Sequence, residues 1–233
     1  MIHKKFAHIY DEFMDFVDYN SWYKFLKTYI NKNSKLKIAD LGCGTGKLSY
    51  LFSADGHEVH AFDISDDMLD IARNKYENIE FNKIDITKNS VGKDYDFIMC
   101  NFDTVNYFNS FKEFINFLKL VYESLKEEGI FIFDFVEEGI FDEMFENDLF
   151  IDDTEEYTCI MKHDKKSKFK HIIDMVIFAK ENGVYNKYTE IHEKTIFDTD
   201  KILEEVRKIG FEIYDSARNS EYGESRIFLV CKK

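Results

Sequence analysis

Short apolar or alternating runs punctuate the chain, with helix-length segments between most of them. They are LKIADLG (36–42), HEVHAFDIS (57–65), IEFNKIDI (79–86), YDFIMCNF (95–102) and GIFIFDF (129–135), then FEIYDSA (211–217) and RIFLVCKK (226–233). Strands that alternate with helical segments in this way predict a parallel sheet covered on both faces. Before the sixth run, Ile202, Leu203, Val206 and Ile209 share one helical face, Asp198 or Thr199 can cap the start, and Gly210 can end the helix. The connection between the last two runs is too short for a crossover helix, so these strands should pair antiparallel.

Residues 137–197 break this rhythm. A short helix-like piece, EEGIFDEMFEND, is followed by three alternating stretches, EEYTCIMKHD, FKHIIDMVIFAK and VYNKYTEIHEKTIF. Asn182-Gly183 between the second and third tolerates positive φ at both positions and predicts a two-residue hairpin. An antiparallel insertion after the fifth strand would lie above the carboxyl ends of the parallel strands, where open α/β sheets bind ligands, and so reads as a lid or a dimerisation sheet. The expected division is a helical cap over residues 1–35, a Rossmann-like core over 36–136 and 198–233, and the inserted lid over 137–197. The expected fold class is α/β: a seven-stranded, mostly parallel sheet with an antiparallel last strand and helices on both faces, plus the inserted antiparallel sheet.

The composition permits one well-buried core. The 233 residues include no proline and ten glycines, which leaves little material for a flexible linker. Cys43, Cys100, Cys159 and Cys231 are far apart and form no C-x-x-C pair, which argues for a reducing cytoplasm and against zinc; no metal site is expected. No apolar run is long enough to span a bilayer, and a soluble cytoplasmic protein without membrane contact is expected. A formal charge of −14 makes nucleic acid a poor partner. The lysine-rich KHDKKSKFK at 162–170 reads as a solvated hairpin loop.

The chemistry concentrates in IADLGCGTGKLS at 38–49. A P-loop would need a glycine where Leu41 stands and a hydroxyl residue where Leu48 stands. A dinucleotide fingerprint would need a third glycine at Lys47, which weakens but does not eliminate NAD. What remains is Gly42, Gly44 and Gly46 behind Asp40. About 20 residues on, Asp63 ends the second strand, where a carboxylate can accept from two ribose hydroxyls. Ser65 can cap the next helix with Asp66 and Asp67 in its first turn. Asp85 and Ile86 then end the third strand.

With DLGCGTG, FDIS..ML, KIDI and the final antiparallel pair in this order, the chain resembles the class I S-adenosylmethionine-dependent methyltransferases over essentially its whole length. FAHIYDEFM, VDYNSWYKFL and the inserted sheet resemble small bacterial enzymes related to the glycine and sugar-amine N-methyltransferases. The resemblance implies S-adenosylmethionine as cofactor. It puts Gly42, Gly44 and Gly46 against the adenosine and methionine portions, Asp40 near the amino group and Asp63 on the ribose. Ile64 and Met68 would sandwich the adenine, with Asp85 and Ile86 on its edge. Cys100 and Asn101 would border the methionine chain, and Tyr10, Tyr19 and Trp22 would cover the cofactor.

Methyl transfer from a sulfonium needs alignment and exclusion of water more than a strong base. The chain lacks the proline pair and the Pro-Cys nucleophile of DNA base methylases, so a small molecule is the expected acceptor, an amine before a hydroxyl. Tyr10, Asp103 and His192 are the catalytic candidates. Asp134, Glu137, Glu190 and Tyr188 could also face the acceptor, since Tyr188, Glu190 and His192 share one strand face. Imidazole is the side chain suited to exchange a proton near neutrality. A cofactor-binding module that docks a protein partner and an NAD-dependent oxidoreductase are the competing readings. Either a monomer or a homodimer through the inserted sheet is compatible with the sequence.

Overall fold

The computed structural model describes residues 4–30, 34–218 and 223–233. Parts of the expected helical cap (1–3 and 31–33) and of the last connection (219–222) lie outside the described residues. A seven-stranded sheet is built from β1 (Lys37–Leu41), β2 (Glu58–Asp63), β3 (Glu80–Lys83), β4 (Tyr95–Cys100), β5 (Leu125–Val136), β10 (Glu212–Arg218) and β11 (Arg226–Lys232). Their spatial order is β10-β11-β5-β4-β1-β2-β3. Strand β11 runs antiparallel between β5 and β10, as the short connection demands, while the β1–β2, β1–β4, β2–β3 and β4–β5 pairs are parallel. The order reverses at β1, so the tips of β1 and β4 diverge there and open a crevice.

Alternation along the strands divides the core. Ile38, Val59, Ala61, Phe97 and Met99 face helices α2 (Tyr19–Lys27), α3 (Lys47–Ala54) and α4 (Asp66–Lys75) through Trp22, Leu26, Phe52 and Leu69. Ala39, Leu41, Ile98, Cys100 and Phe133 point the other way, onto Phe114, Phe117 and Val121 of α5 (Phe111–Ser124) and Ile202 and Val206 of α7 (Thr199–Ile209). The caps follow the sequence reading. Ser65 accepts from the Met68 N–H, Asp198 accepts from Lys201, and Gly210 closes α7 at φ 120°.

The inserted segment holds four strands, not three: β6 (Leu149–Asp153), β7 (Tyr157–Lys165), β8 (Lys170–Glu181) and β9 (Val184–Thr195) pair antiparallel in chain order. Strand β6 was not foreseen because its five residues carry two aspartates and follow the short helix α6 (Ile140–Met144) without a separating glycine or proline. Asn182 and Gly183 turn at φ 53° and 79°, as the hairpin requires. One face of this sheet packs Cys159, Met161, Ile173 and Met175 against α6 and against Phe6 and Ile9 of α1 (Phe6–Phe13).

Candidate active site

A cavity of about 850 Å³ lies between the carboxyl ends of β1, β2 and β4, helices α1 and α2, and the inner face of the inserted sheet. Tyr10, Tyr19, Trp22, Asp40, Gly42, Gly44, Asp63, Ile64, Met68, Asp85, Ile86, Asn101, Asp103 and His192 all line it. Sequence-distant candidates therefore converge. Gly46 and Cys100 are not among the lining residues. Gly46 starts α3 at φ 82°, where a Cβ would sit 2.8 Å from the Phe81 ring, so its glycine serves packing. Cys100 is fully buried, and burial pushes its thiol well above the usual range, which leaves it unreactive.

Along the strand tips the wall is polar. Asp40 is buried and accepts from Ser49 Oγ at 2.5 Å. Burial drives its carboxyl up to about 7, against the Ser49 hydrogen bond and with help from nearby Asp63. Asp63 receives the N–H groups of Gly44 at 2.9 Å and Ser65 at 2.8 Å, which fixes the glycine loop to the second strand. Asp85 is engaged by Thr87 and by Lys88. These bonds outweigh its partial burial and hold it below the usual carboxylate value. At Gly44 a Cβ would point toward Tyr10, 3.9 Å away, so the missing side chain is a gap beneath the helical cover.

Just beyond strand β4 two residues are forced into left-handed backbone, Phe102 at φ 57° and Asp103 at φ 47°. Phe102 stacks on Trp22 with ring centroids 4.0 Å apart, and the Trp22 indole donates to Asn101 Oδ1 at 3.0 Å. The Asn101 amide nitrogen is buried without an acceptor among the described residues.

Sequence reasoning missed the cations. Asp103 pairs with Lys194 on β9 and with Arg226 on β11, and Arg226 also pairs with Asp134. Burial alone would raise the Asp103 carboxyl, but the two cations hold it below its ordinary value. Burial pushes Asp134 up to about 6 despite Arg226. Lys194 lies 3.4 Å above the Tyr107 ring. Basic residues directly before apolar runs, Lys194 before TIF and Arg226 before IFLV, were the available signal, but their pairing across 91 and 123 residues was not visible in the pattern.

His192 sits on the cavity wall with Nδ1 3.1 Å from the Tyr107 hydroxyl and Nε2 3.2 Å from Glu190 Oε2. Tyr107 itself lines the cavity, from a turn at Thr104–Tyr107, and burial raises its phenol well above 10. Hydrogen bonds from His192, Phe6 and Lys5 outweigh burial and keep Glu190 below the ordinary carboxylate value. Of the other candidates, Tyr188 hydrogen bonds to Glu181, while Glu137 holds Thr199 and Arg218; neither lines the cavity. Helix α1 bridges the two sides. Asp11 accepts from Thr45 of the glycine loop at 2.7 Å and pairs with Lys75, while the Phe6 N–H reaches Glu190 at 2.9 Å.

Residues 38–129 match the model of a methyltransferase domain family. The chain is 30% identical over 220 residues to YqeM of Bacillus subtilis, a protein that carries a methyltransferase name, and the match covers 92% of this chain and 88% of YqeM. The chain belongs to the class I S-adenosylmethionine-dependent methyltransferases. The methyltransferase is also 25% identical to an S-adenosylmethionine-dependent methyltransferase of Clostridium acetobutylicum, with a TM-score of 0.86 over 100% and 99% of the two chains. CalS10 of Micromonospora echinaspora, an amino pentose methyltransferase, shares the fold at 14% identity, with a TM-score of 0.77 over 96% of each chain. The cofactor fits the methyltransferase's own residues: the gap at Gly44, the carboxyl groups at the tips, Asp40 and Asp63, and the unpaired Asn101 amide are complementary to a ligand with an ammonium, ribose hydroxyls and a carboxylate. Among the described residues no helix is long and apolar enough to cross a membrane.

Proposed function

We propose that this methyltransferase acts on the amino group of a small molecule, and that Tyr107, His192 and Glu190 form the path by which the acceptor loses its proton. The bound cofactor supplies an activated methyl group on a sulfonium. In this reading Asp40 and Asn101 hold the amino-acid end, Asp63 the ribose, and Ile64, Met68, Asp85 and Ile86 the adenine. Tyr10, Tyr19 and Trp22 form the cover, and the inserted sheet is the lid.

The observation that carries the proposal is the Tyr107–His192–Glu190 chain. An ionised Glu190 is an acceptor only, so His192 presents its N–H at Nε2 and leaves Nδ1 to accept from the Tyr107 hydroxyl. The Tyr107 oxygen can then take a proton from the acceptor as its own passes to His192, and Glu190 stabilises the resulting imidazolium. An ammonium or a phenol, with ordinary values near 10, lies within reach of such a relay, whereas an aliphatic alcohol does not. Asp103 is a poor base here, because both of its oxygens are already engaged by cations. It serves as the anchor of the cavity floor.

The test is incubation with labelled cofactor and a fractionated small-molecule extract, comparing wild type with His192→Ala. The proposal expects a labelled amine product and a variant with lower turnover at unchanged cofactor affinity. A labelled carboxylate ester, or equal turnover of the two proteins from pH 6 to 9, would overturn it.

A further inference from the structure

We infer that the acceptor has an apolar body, aromatic or aliphatic, and is not a sugar or a small amino acid. The inference rests on the reading above, in which the strand-tip half of the cavity holds the cofactor. The other half is built differently. Phe13, Phe141, Phe150, Met161, Ile173 and Met175 converge there from α1, α6 and three strands of the inserted sheet. At the rim Phe16 is 79% and Met144 43% exposed, leaving apolar surface in water that a bound apolar ligand would cover.

Polar groups in this half gather at its inner end. Tyr107 and His192 face the junction with the cofactor half, and Lys194 and Arg226 are already paired with Asp103 and Asp134. Tyr10, on α1, lies over Gly44 of the cofactor half, and Glu143 at the rim accepts from the Ser225 N–H. An acceptor with several hydroxyls would lose its water against methionine and phenylalanine walls with few partners to replace it. An acceptor with one polar head and an apolar tail meets no such cost: its head reaches Tyr107 and its tail fills the chamber. Methionines at 161 and 175 can adapt to either a flat ring or a flexible chain.

Isothermal titration of the protein loaded with S-adenosylhomocysteine tests this, with phenethylamine, tryptamine, hexylamine and octylamine against glucosamine and glycine. At least one apolar amine should bind ten-fold or more tighter than either polar one. Phe150→Ser should reduce that preference about ten-fold, Phe150→Leu should restore most of it, and both should bind S-adenosylhomocysteine as wild type does. Equal or tighter binding of glucosamine or glycine, no binding by any apolar amine, or a preference unchanged in Phe150→Ser would each overturn the inference. Failure of wild type to bind S-adenosylhomocysteine would instead overturn the assignment of the two halves, and the inference with it.

Discussion

The Glu190 carboxylate on β9 receives the Phe6 N–H at 2.9 Å, so helix α1 starts on a side chain 184 residues away in place of a local cap. The same carboxylate orients His192. Docking of helix α1 and orientation of His192 therefore share one residue, and in the proposed mechanism that residue also supports the proton path.

Replacing Glu190 with alanine should release α1. Loss of a helix cap costs about 0.5–2 kcal/mol, so the melting temperature should fall by roughly 1–8 °C. Amides of residues 6–13 should exchange faster in Glu190→Ala than in wild type. Because Glu190 is held below its ordinary 4.5, its contribution is present above that pH and lost as pH falls through the folded value. Wild-type protection of α1 should therefore fade on acidification.

Cofactor binding should depend on pH through Asp40. Burial raises this carboxyl to about 7, so below that pH the empty site carries a proton that a ligand ammonium must expel. Affinity for S-adenosylhomocysteine should rise from pH 5.5 to about 7 and then level off, and Asp40→Asn should flatten the profile. For the ligand-free protein the sign is opposite. The folded state binds the proton more tightly than the unfolded chain, so Asp40 favours folding at low pH and its contribution declines as pH climbs from about 4 to 7. The difference in urea unfolding between wild type and Asp40→Asn across that range would read this slope.

Tyr107→Phe and His192→Asn should each lower kcat by roughly 10²–10⁴ with the cofactor KM unchanged, as expected for a positioned proton path. If the two residues act in series, the double variant should be little worse than either single one. Additive losses in single-turnover assays would mean that they act separately.

Gly46→Ala should destabilise without weakening the cofactor. A Cβ there meets Phe81 at 2.8 Å and the backbone is left-handed, a combination expected to cost about 1–3 kcal/mol. Thermal unfolding should show the loss, while S-adenosylhomocysteine titration should not.

The fold was legible because its strands are strongly apolar and their punctuation is chemical: Gly210 ends α7, Asn182-Gly183 turns the hairpin, and Ser65 starts α4. The strand-tip half of the cavity was legible for a related reason. Gly42, Asp63 and Asp85 stand at the ends of consecutive strands, so local sequence already brings them to one edge. Lys194, Arg226 and Tyr107 were not legible. They come from β9, β11 and the turn after β4, and only tertiary pairing brings these together. Strand β6 escaped because its apolar run, Leu149 to Ile151, is only three residues long before Asp152 and Asp153, too short to mark a strand by alternation.

The most direct test of the two-halved cavity is a crystal structure with S-adenosylhomocysteine bound. The account predicts ribose hydroxyls on Asp63, the amino group at Asp40, the carboxylate within reach of Asn101, and the sulfur facing Tyr107 and His192 with the Phe150–Met175 chamber left open. A ligand seated in that chamber, or a sulfur directed away from Tyr107, would contradict it.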